Sequence, residues 1–231
     1  MEIKKTTPLE TLLDQLESKP WKITKKAVYA LEFLGDAPEI KPLIEALSIK
    51  KYSKSALIKE ILITIGEPSI NPLIELGLTH TSPFVRKSAV EILGRMTDRR
   101  AVEPLIPMLE DKDESVCLEV VTSLGRIGDR RAVKPLSEIL SRGNLLIKCA
   151  VIEALTNIDG SFIPHIINLL SLQSESIADN ELEYLLLLLA KSTPSKDQLR
   201  PIESLLLSLV LAGNKESIFL AKNLMKKLIG K

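Results

Sequence analysis

The chain has 231 residues, 45% hydrophobic but only 3% aromatic, and its ten glycines are too few for a turn-rich all-β protein. Lysine plus arginine number 31 against 30 for aspartate plus glutamate, a formal charge of +1, so the whole molecule sets up no strong field for nucleic acid or an anionic membrane. The two cysteines, Cys117 and Cys149, have no C-x-x-C spacing; both read as reduced helix residues of a cytoplasmic protein rather than as a disulfide framework.

At the N-terminus, Met1-Glu2-Ile3-Lys4-Lys5 runs into Thr6-Thr7-Pro8 without the apolar stretch of a signal segment. Pro8-Leu9 opens a leading half-repeat over residues 8–20. From there a period governs the chain. Leu34-Gly35-Asp36 returns as Ile65-Gly66-Glu67, Met96-Thr97-Asp98, Ile127-Gly128-Asp129 and, more loosely, Ile158-Asp159-Gly160. The middle positions are 35, 66, 97, 128 and 159, a step of 31 each time.

Ahead of each such turn stands an apolar pattern at i, i+4, i+7, i+8 and i+11, one stripe of an α-helix. Ile23-Ala27-Ala30-Leu31-Leu34 is the first copy and Ile58-Ile61-Leu62-Ile65, led by Lys54, the second. Val85-Ala89-Ile92-Leu93-Met96, Val116-Val120-Ser123-Leu124-Ile127 and Ile147-Val151-Ala154-Leu155-Ile158 follow. Ala178-Leu182-Leu185-Leu186-Leu189 is the sixth. This is helix A of each repeat. Ser82-Pro83 reads as the N-cap and first position of the third.

Helix B follows each turn and carries Pro-Leu at Pro42-Leu43, Pro72-Leu73, Pro104-Leu105 and Pro135-Leu136; in the fifth copy Pro164 is followed by His165. Proline is tolerated in a helix's first turn, so each helix B should begin a few residues before its proline. The turn glycine supplies a left-handed residue and the aspartate a cap for the new helix. Neither helix can bury its stripe unaided, so the pairs must stack on their neighbours.

The sequence therefore predicts an all-α protein: a right-handed α-α superhelix of about six helical pairs with a C-terminal capping helix. It reads as a single solenoid over 1–231, regular over 21–170 and divergent over 171–231. Leu185 to Ala190 and Leu205 to Ala212 are its richest apolar runs, both shorter than the ~20 residues a membrane span needs. They are apolar nearly all round, which suits internal capping or a surface for self-association.

The candidate binding residues fall in two sets. Arg95, Arg99 and Arg100 are repeated at Arg126, Arg130 and Arg131, which stacks six guanidinium groups along the A-to-B turn edge. Such an edge can hold phosphates or a carboxylate-rich partner; alternatively, Asp98, Asp129 and Glu103 pair with these arginines locally. On helix B, Lys41 with Glu45 and Lys134 with Glu138 are i, i+4 pairs, and Glu75, Glu103 and Asn71 share the equivalent surface.

Catalytic chemistry finds little footing. His80 reads as a surface loop residue and His165 as an early helix-B residue. Neither cysteine has a histidine placed near it by the repeat, and there is no Gly-rich phosphate loop. No metal or organic cofactor is expected. Trp21, Tyr29 and Tyr52 make no row of stacking platforms, which argues against a nucleic-acid groove.

Residues 85–105, Val85-Arg86-Lys87-Ser88-Ala89 through Asp98-Arg99-Arg100-Ala101-Val102-Glu103-Pro104-Leu105, resemble the phycobilisome-lyase type of HEAT-like repeat. The copy ending Gly128-Asp129-Arg130-Arg131-Ala132-Val133-Lys134-Pro135-Leu136 matches as well. The resemblance covers about residues 21–170 and implies an α-α superhelix with helix B on the concave side. That family includes bilin lyase subunits, a di-iron deoxyhypusine hydroxylase and many interaction modules. The hydroxylase's paired His-Glu dipeptides are missing: His80 is followed by Thr81 and His165 by Ile166.

The expectation is thus a non-catalytic scaffold that binds a protein partner through the helix-B face and the arginine edge. A bilin-lyase-like subunit handling a tetrapyrrole and a nucleic-acid-binding repeat protein are the alternatives.

Overall fold

A computed structural model describes residues 40–48 and 52–159. The leading half-repeat, the first helix A, Trp21, Tyr29, His165 and the apolar C-terminal runs lie outside the described residues. Among the described residues every regular element is helical. Four helices of equal length occupy the helix-A positions: α2 (Tyr52–Ile65), α4 (Pro83–Met96), α6 (Glu114–Ile127) and α8 (Leu145–Ile158). Their first residues are 52, 83, 114 and 145, so the 31-residue register of the turns also sets where each helix begins.

The helix-B positions are less uniform. The first is α1 (Ile40–Ala46). The second is α3 (Glu67–Pro72) continued by a π turn over Leu73–Gly77. The third is a 3-10 turn (Arg99–Ala101), then α5 (Val102–Leu105), then a second 3-10 turn (Ile106–Glu110). The fourth is a 3-10 turn (Arg130–Ala132) leading into α7 (Val133–Arg142). A simple helix after each turn was expected; a proline explains the second 3-10 turn of the third segment. Pro107 has no amide to give to the carbonyl four residues back, and the winding tightens where α5 ends.

The π turn has a different cause. The core leucines of helix B are Leu43 and Leu47 in the first segment, Leu105 and Leu109 in the third, and Leu136 and Leu140 in the fourth, four residues apart each time. In the second segment they are Leu73 and Leu78, five apart, and both are buried. A chain that must put both on the core widens its winding by one residue, and the Leu78 amide donates to the Leu73 carbonyl at 3.0 Å.

The chain divides into two compact units, Met1–Val120 and Val121–Lys231, the boundary falling inside α6. In the first unit α2 packs on α1 and α4, and the π turn packs on α1 and α4. Ile58, Ile61, Leu62, Val85, Ala89, Ile92 and Leu93 are sealed from solvent there. The predicted stripe holds at its centre, whereas its last positions, Ile65 and Met96, are half-buried. The π turn approaches α4 so closely that a Cβ on Gly77 would lie 2.6 Å from that of Ala89. In the second unit α7 packs on α8 around Leu136, Leu140, Val151, Ile152 and Leu155. There Gly125 lies against α8, where a Cβ would come within 2.7 Å of Ala154.

Candidate functional site

The A-to-B turns set the arginine edge. Gly66, Thr97 and Gly128, in register, each take a positive φ (74°, 53° and 71°) that reverses the chain. Thr97 does so without glycine's freedom, at a cost of about 1–2 kcal/mol. The next residue then caps the new helix: the Asp98 carboxylate accepts from the Arg100 amide at 2.8 Å, and Asp129 from the Arg131 amide at 3.0 Å. Each capping aspartate also receives its arginine's side chain. Arg100 Nε and Nη2 reach Asp98 at 3.0 and 2.8 Å, and Arg131 Nε and Nη2 reach Asp129 at 3.1 and 3.0 Å. The hydrogen bonds from Arg100 hold the Asp98 carboxyl below the usual carboxylate range.

The remaining donors reach into neighbouring repeats. Arg100 Nη1 donates to Glu67 at 2.9 Å, and Arg95 grips both oxygens of Glu60 at 2.6 and 3.1 Å. Those contacts raise the affinity of both guanidinium groups for their protons. In the second unit Arg130 pairs with Asp159. Arg99 and Arg126 are exposed, and neither is without a partner. The structure thus brings Arg95, Arg99 and Arg100 to the turn edge of the first unit, and Arg126, Arg130 and Arg131 to the equivalent edge of the second. The local pairing with Asp98 and Asp129 weighed in the sequence is what Arg100 and Arg131 show, whereas Arg95 and Arg130 pair across repeats. Such exposed pairs add little stability, because solvent and salt screen them.

The second candidate set lies on the exposed crest of helix B. Lys41, Glu45, Asn71, Glu75 and Glu103 are exposed in the first unit, as are Lys134 and Glu138 in the second. Glu45 lies 3.5 Å from His80 Nε2, an ion pair when the ring is protonated. His80 is more than a loop surface residue: it is half-buried, and its Nδ1 accepts the Ser82 amide at 3.0 Å. Ser82 holds the N-cap position before Pro83, as expected, but its hydroxyl makes no capping bond.

The most fully coordinated group went unremarked in the sequence. Arg86, in the first turn of α4, is buried with Asp111. Its Nε and Nη2 each meet one Asp111 oxygen at 2.7 Å, and Nη1 donates to the carbonyls of His80 and Thr81 at 2.9 and 3.1 Å. The Arg86 guanidinium holds the Asp111 carboxyl below its ordinary range. A signal did exist: the same helix-A position carries Ser55, Arg86, Cys117 and Lys148, polar in every described repeat and 31 apart. Cys117 donates its thiol to the Asp111 carbonyl at 3.1 Å, and burial pushes its pKa up. That suits a packing thiol rather than a nucleophile. Cys149 is also a free, half-buried thiol.

Among the described residues, no group of three or more His, Cys, Asp or Glu side chains gathers as a metal site would require. Nor is any described helix long and apolar enough to cross a membrane.

The family model described as HEAT repeats matches residues 40–123, 70–156 and 102–183. No curated protein matches the chain. Among solved structures, the complex of CpcE and CpcF of phycocyanin lyase from Nostoc sp. is 18% identical, with a TM-score of 0.47 over 80% of this chain and 75% of that one. An engineered protein is 17% identical, with a TM-score of 0.42 over 83% of this chain and 97% of that one. A designed armadillo repeat protein in complex with the peptide (KR)4 is 18% identical, with a TM-score of 0.38 over 96% and 100%.

Proposed function

Because the chain belongs to the HEAT-repeat family, we propose that it is a non-catalytic adaptor holding a protein partner on the exposed crests of its second helices. One observation carries this reading. Every described helix-B segment spends one face on the core and leaves another, with an exposed glutamate two residues from its buried leucine, to solvent. Leu43, Leu73, Leu105 and Leu136 are fully buried, while Glu45, Glu75, Glu103 and Glu138 stand exposed. A surface repeated in this way suits a partner that is read by shape and dispersed polar contacts.

Lys41, Glu45, Glu75 and Glu103 in the first unit, and Lys134 and Glu138 in the second, are the contacts we assign. The turn edge is the flanking contact, through Arg99 and Arg130, which occupy equivalent positions there. Arg95, Arg100, Arg126 and Arg131 form the rest of that edge. We place the protein in the cytoplasm, a setting with which two free cysteines agree.

The test uses the full chain as bait in its native extract, followed by purified binary mixing and light scattering. A defined complex with a retained protein is expected. It should weaken at least tenfold when Lys41, Glu75 and Glu138 are reversed in charge, with the helical circular dichroism unchanged. If no retained protein forms a defined complex, or if the complexes ignore those reversals, the adaptor reading fails.

A further inference from the structure

We propose that the N-terminus of α8 is a receptor for a carboxylate brought by another chain, with Lys148 as its cation and the amides of Leu145 and Leu146 as its further donors. The site goes beyond the adaptor reading and uses none of the crest or turn-edge residues assigned there.

Lys148 is only 9% exposed, yet among the described residues no carboxylate or carbonyl accepts from its ammonium. The ammonium is not sealed in: among the described residues, the one sealed side-chain polar atom without a partner is the Ser55 hydroxyl. The stem is therefore buried while the charge reaches the surface. A stem packed in this way is already ordered, so an incoming anion need not order it.

Register shows where this charge is aimed and what belongs opposite it. Lys148 and Arg86 hold the same place, the fourth position of helices whose N-caps are Asn144 and Ser82. A side chain there leans back over the N-terminal turn. Arg86 does so, reaching the His80 and Thr81 carbonyls that precede α4. The Asp111 carboxylate then meets Arg86 with both oxygens. Lys148 is the equivalent cation with no acid among the described residues, and a carboxylate is what satisfies this position where it is filled.

The helix end adds donors of its own. α8 spans 14 residues. The Asn144 side chain accepts the Ile147 amide at 3.0 Å, and the Asn144 carbonyl accepts the Lys148 amide at 2.9 Å. The amides of Leu145 and Leu146 are left without an acceptor among the described residues, at the positive end of the helix dipole. Gly143 holds the preceding loop against this turn, where a Cβ would come within 2.8 Å of Ile147. From Ile139 to Ile152 the only charged residues are Arg142 and Lys148. Arg142 already has a partner, so the site rests on Lys148 and the two amides. The equivalent stretch at the start of α6, Glu110 to Glu114, carries four acids and would repel the same ligand.

The test is amide NMR of the isotope-labelled full chain at low salt, titrated with N-acetyl-glutamate methylamide, its glutamine counterpart and inorganic phosphate. The glutamate compound should move the Leu145, Leu146 and Lys148 amides along one saturating curve, and the glutamine compound should leave them in place. The Phe84 amide, at the start of α4 where Asp111 already meets the cation, should not respond. Lys148→Met should weaken the glutamate response at least fivefold. Lys112→Met, the same loss of charge at an exposed loop position of the first unit, should leave it within twofold. Circular dichroism checks that both variants fold, and the contrast of glutamate with glutamine in the wild type stays decisive if Lys148→Met unfolds. No response to glutamate, an equal response to glutamine, or a response that survives Lys148→Met overturns the proposal. So does saturation of the same amides by phosphate at a tenfold lower concentration, the mark of a phosphate site. The adaptor reading stands or falls on its crest variants, whichever of these results is found.

Discussion

A guanidinium inside a protein is stable only when its charge and its donors are met. At Arg86 they are met by two Asp111 oxygens and by the carbonyls of His80 and Thr81. Removing the acid alone leaves a buried charge uncompensated, so Asp111→Ala should cost about 3 kcal/mol. Replacing both partners together, with Arg86→Met and Asp111→Leu, should recover much of that loss in urea unfolding. The pH dependence has a definite sign. Asp111 titrates lower folded than unfolded, because Arg86 hydrogen-bonds its carboxylate. Its stabilisation is therefore complete above the ordinary aspartate value of about 3.9 and is lost as pH falls through the lower folded value. Wild type and Asp111→Asn should differ most near neutrality and converge in acid; a gap that stays constant down to pH 2 would refute the assignment. The pair was hard to read in the sequence, because its acid stands 25 residues away in a loop and recurs in no other repeat. Of the turn-edge contacts, the pairs of Arg100 with Asp98 and Arg131 with Asp129 were legible in the sequence, but those across repeats were not, since Glu60 and Glu67 come from the repeat before and Asp159 from the repeat after.

At the scale of the element, register explains both the regularity and its breach. The A helices begin and end where a 31-residue step puts them, which is why sequence could locate them. The π turn was also written in the sequence, as five residues from Leu73 to Leu78 where the neighbouring segments have four. It becomes readable only once both leucines are known to be buried. A deletion series tests that account. Removing Glu75 restores four-residue spacing, so the segment should refold as α-helix with stability changed by less than about 1 kcal/mol. Removing Ser137 shortens a correct spacing in α7 and pulls Leu136 or Leu140 out of the core, at a cost of about 2–5 kcal/mol. Equal losses in thermal unfolding would show that spacing does not govern the winding. The second 3-10 turn beside α5 has a more local origin in Pro107, which the repeat pattern, keyed to Pro104, did not single out.

For the whole molecule, near-neutral charge is not the same as inert charge. Lys59 to Glu91, Arg95 to Glu60, Arg100 to Glu67 and Arg130 to Asp159 each join residues from about 29 to 35 apart, roughly one repeat. These four ion pairs join neighbouring repeats, as does the apolar stripe. Stability in such a chain is a sum of nearest-neighbour terms, so damage should stay local. Leu155 in α8 is fully buried, and Leu155→Ala should cost about 2–5 kcal/mol. In amide hydrogen exchange under native conditions, that loss should appear as faster exchange through α7 and α8. The amides of α2 and α4, in the other unit, should keep their protection within twofold. Uniform acceleration along the described helices would mean that the chain opens as one cooperative body. The nearest-neighbour account would then be wrong, and a partner bound to one unit would stabilise the other as well.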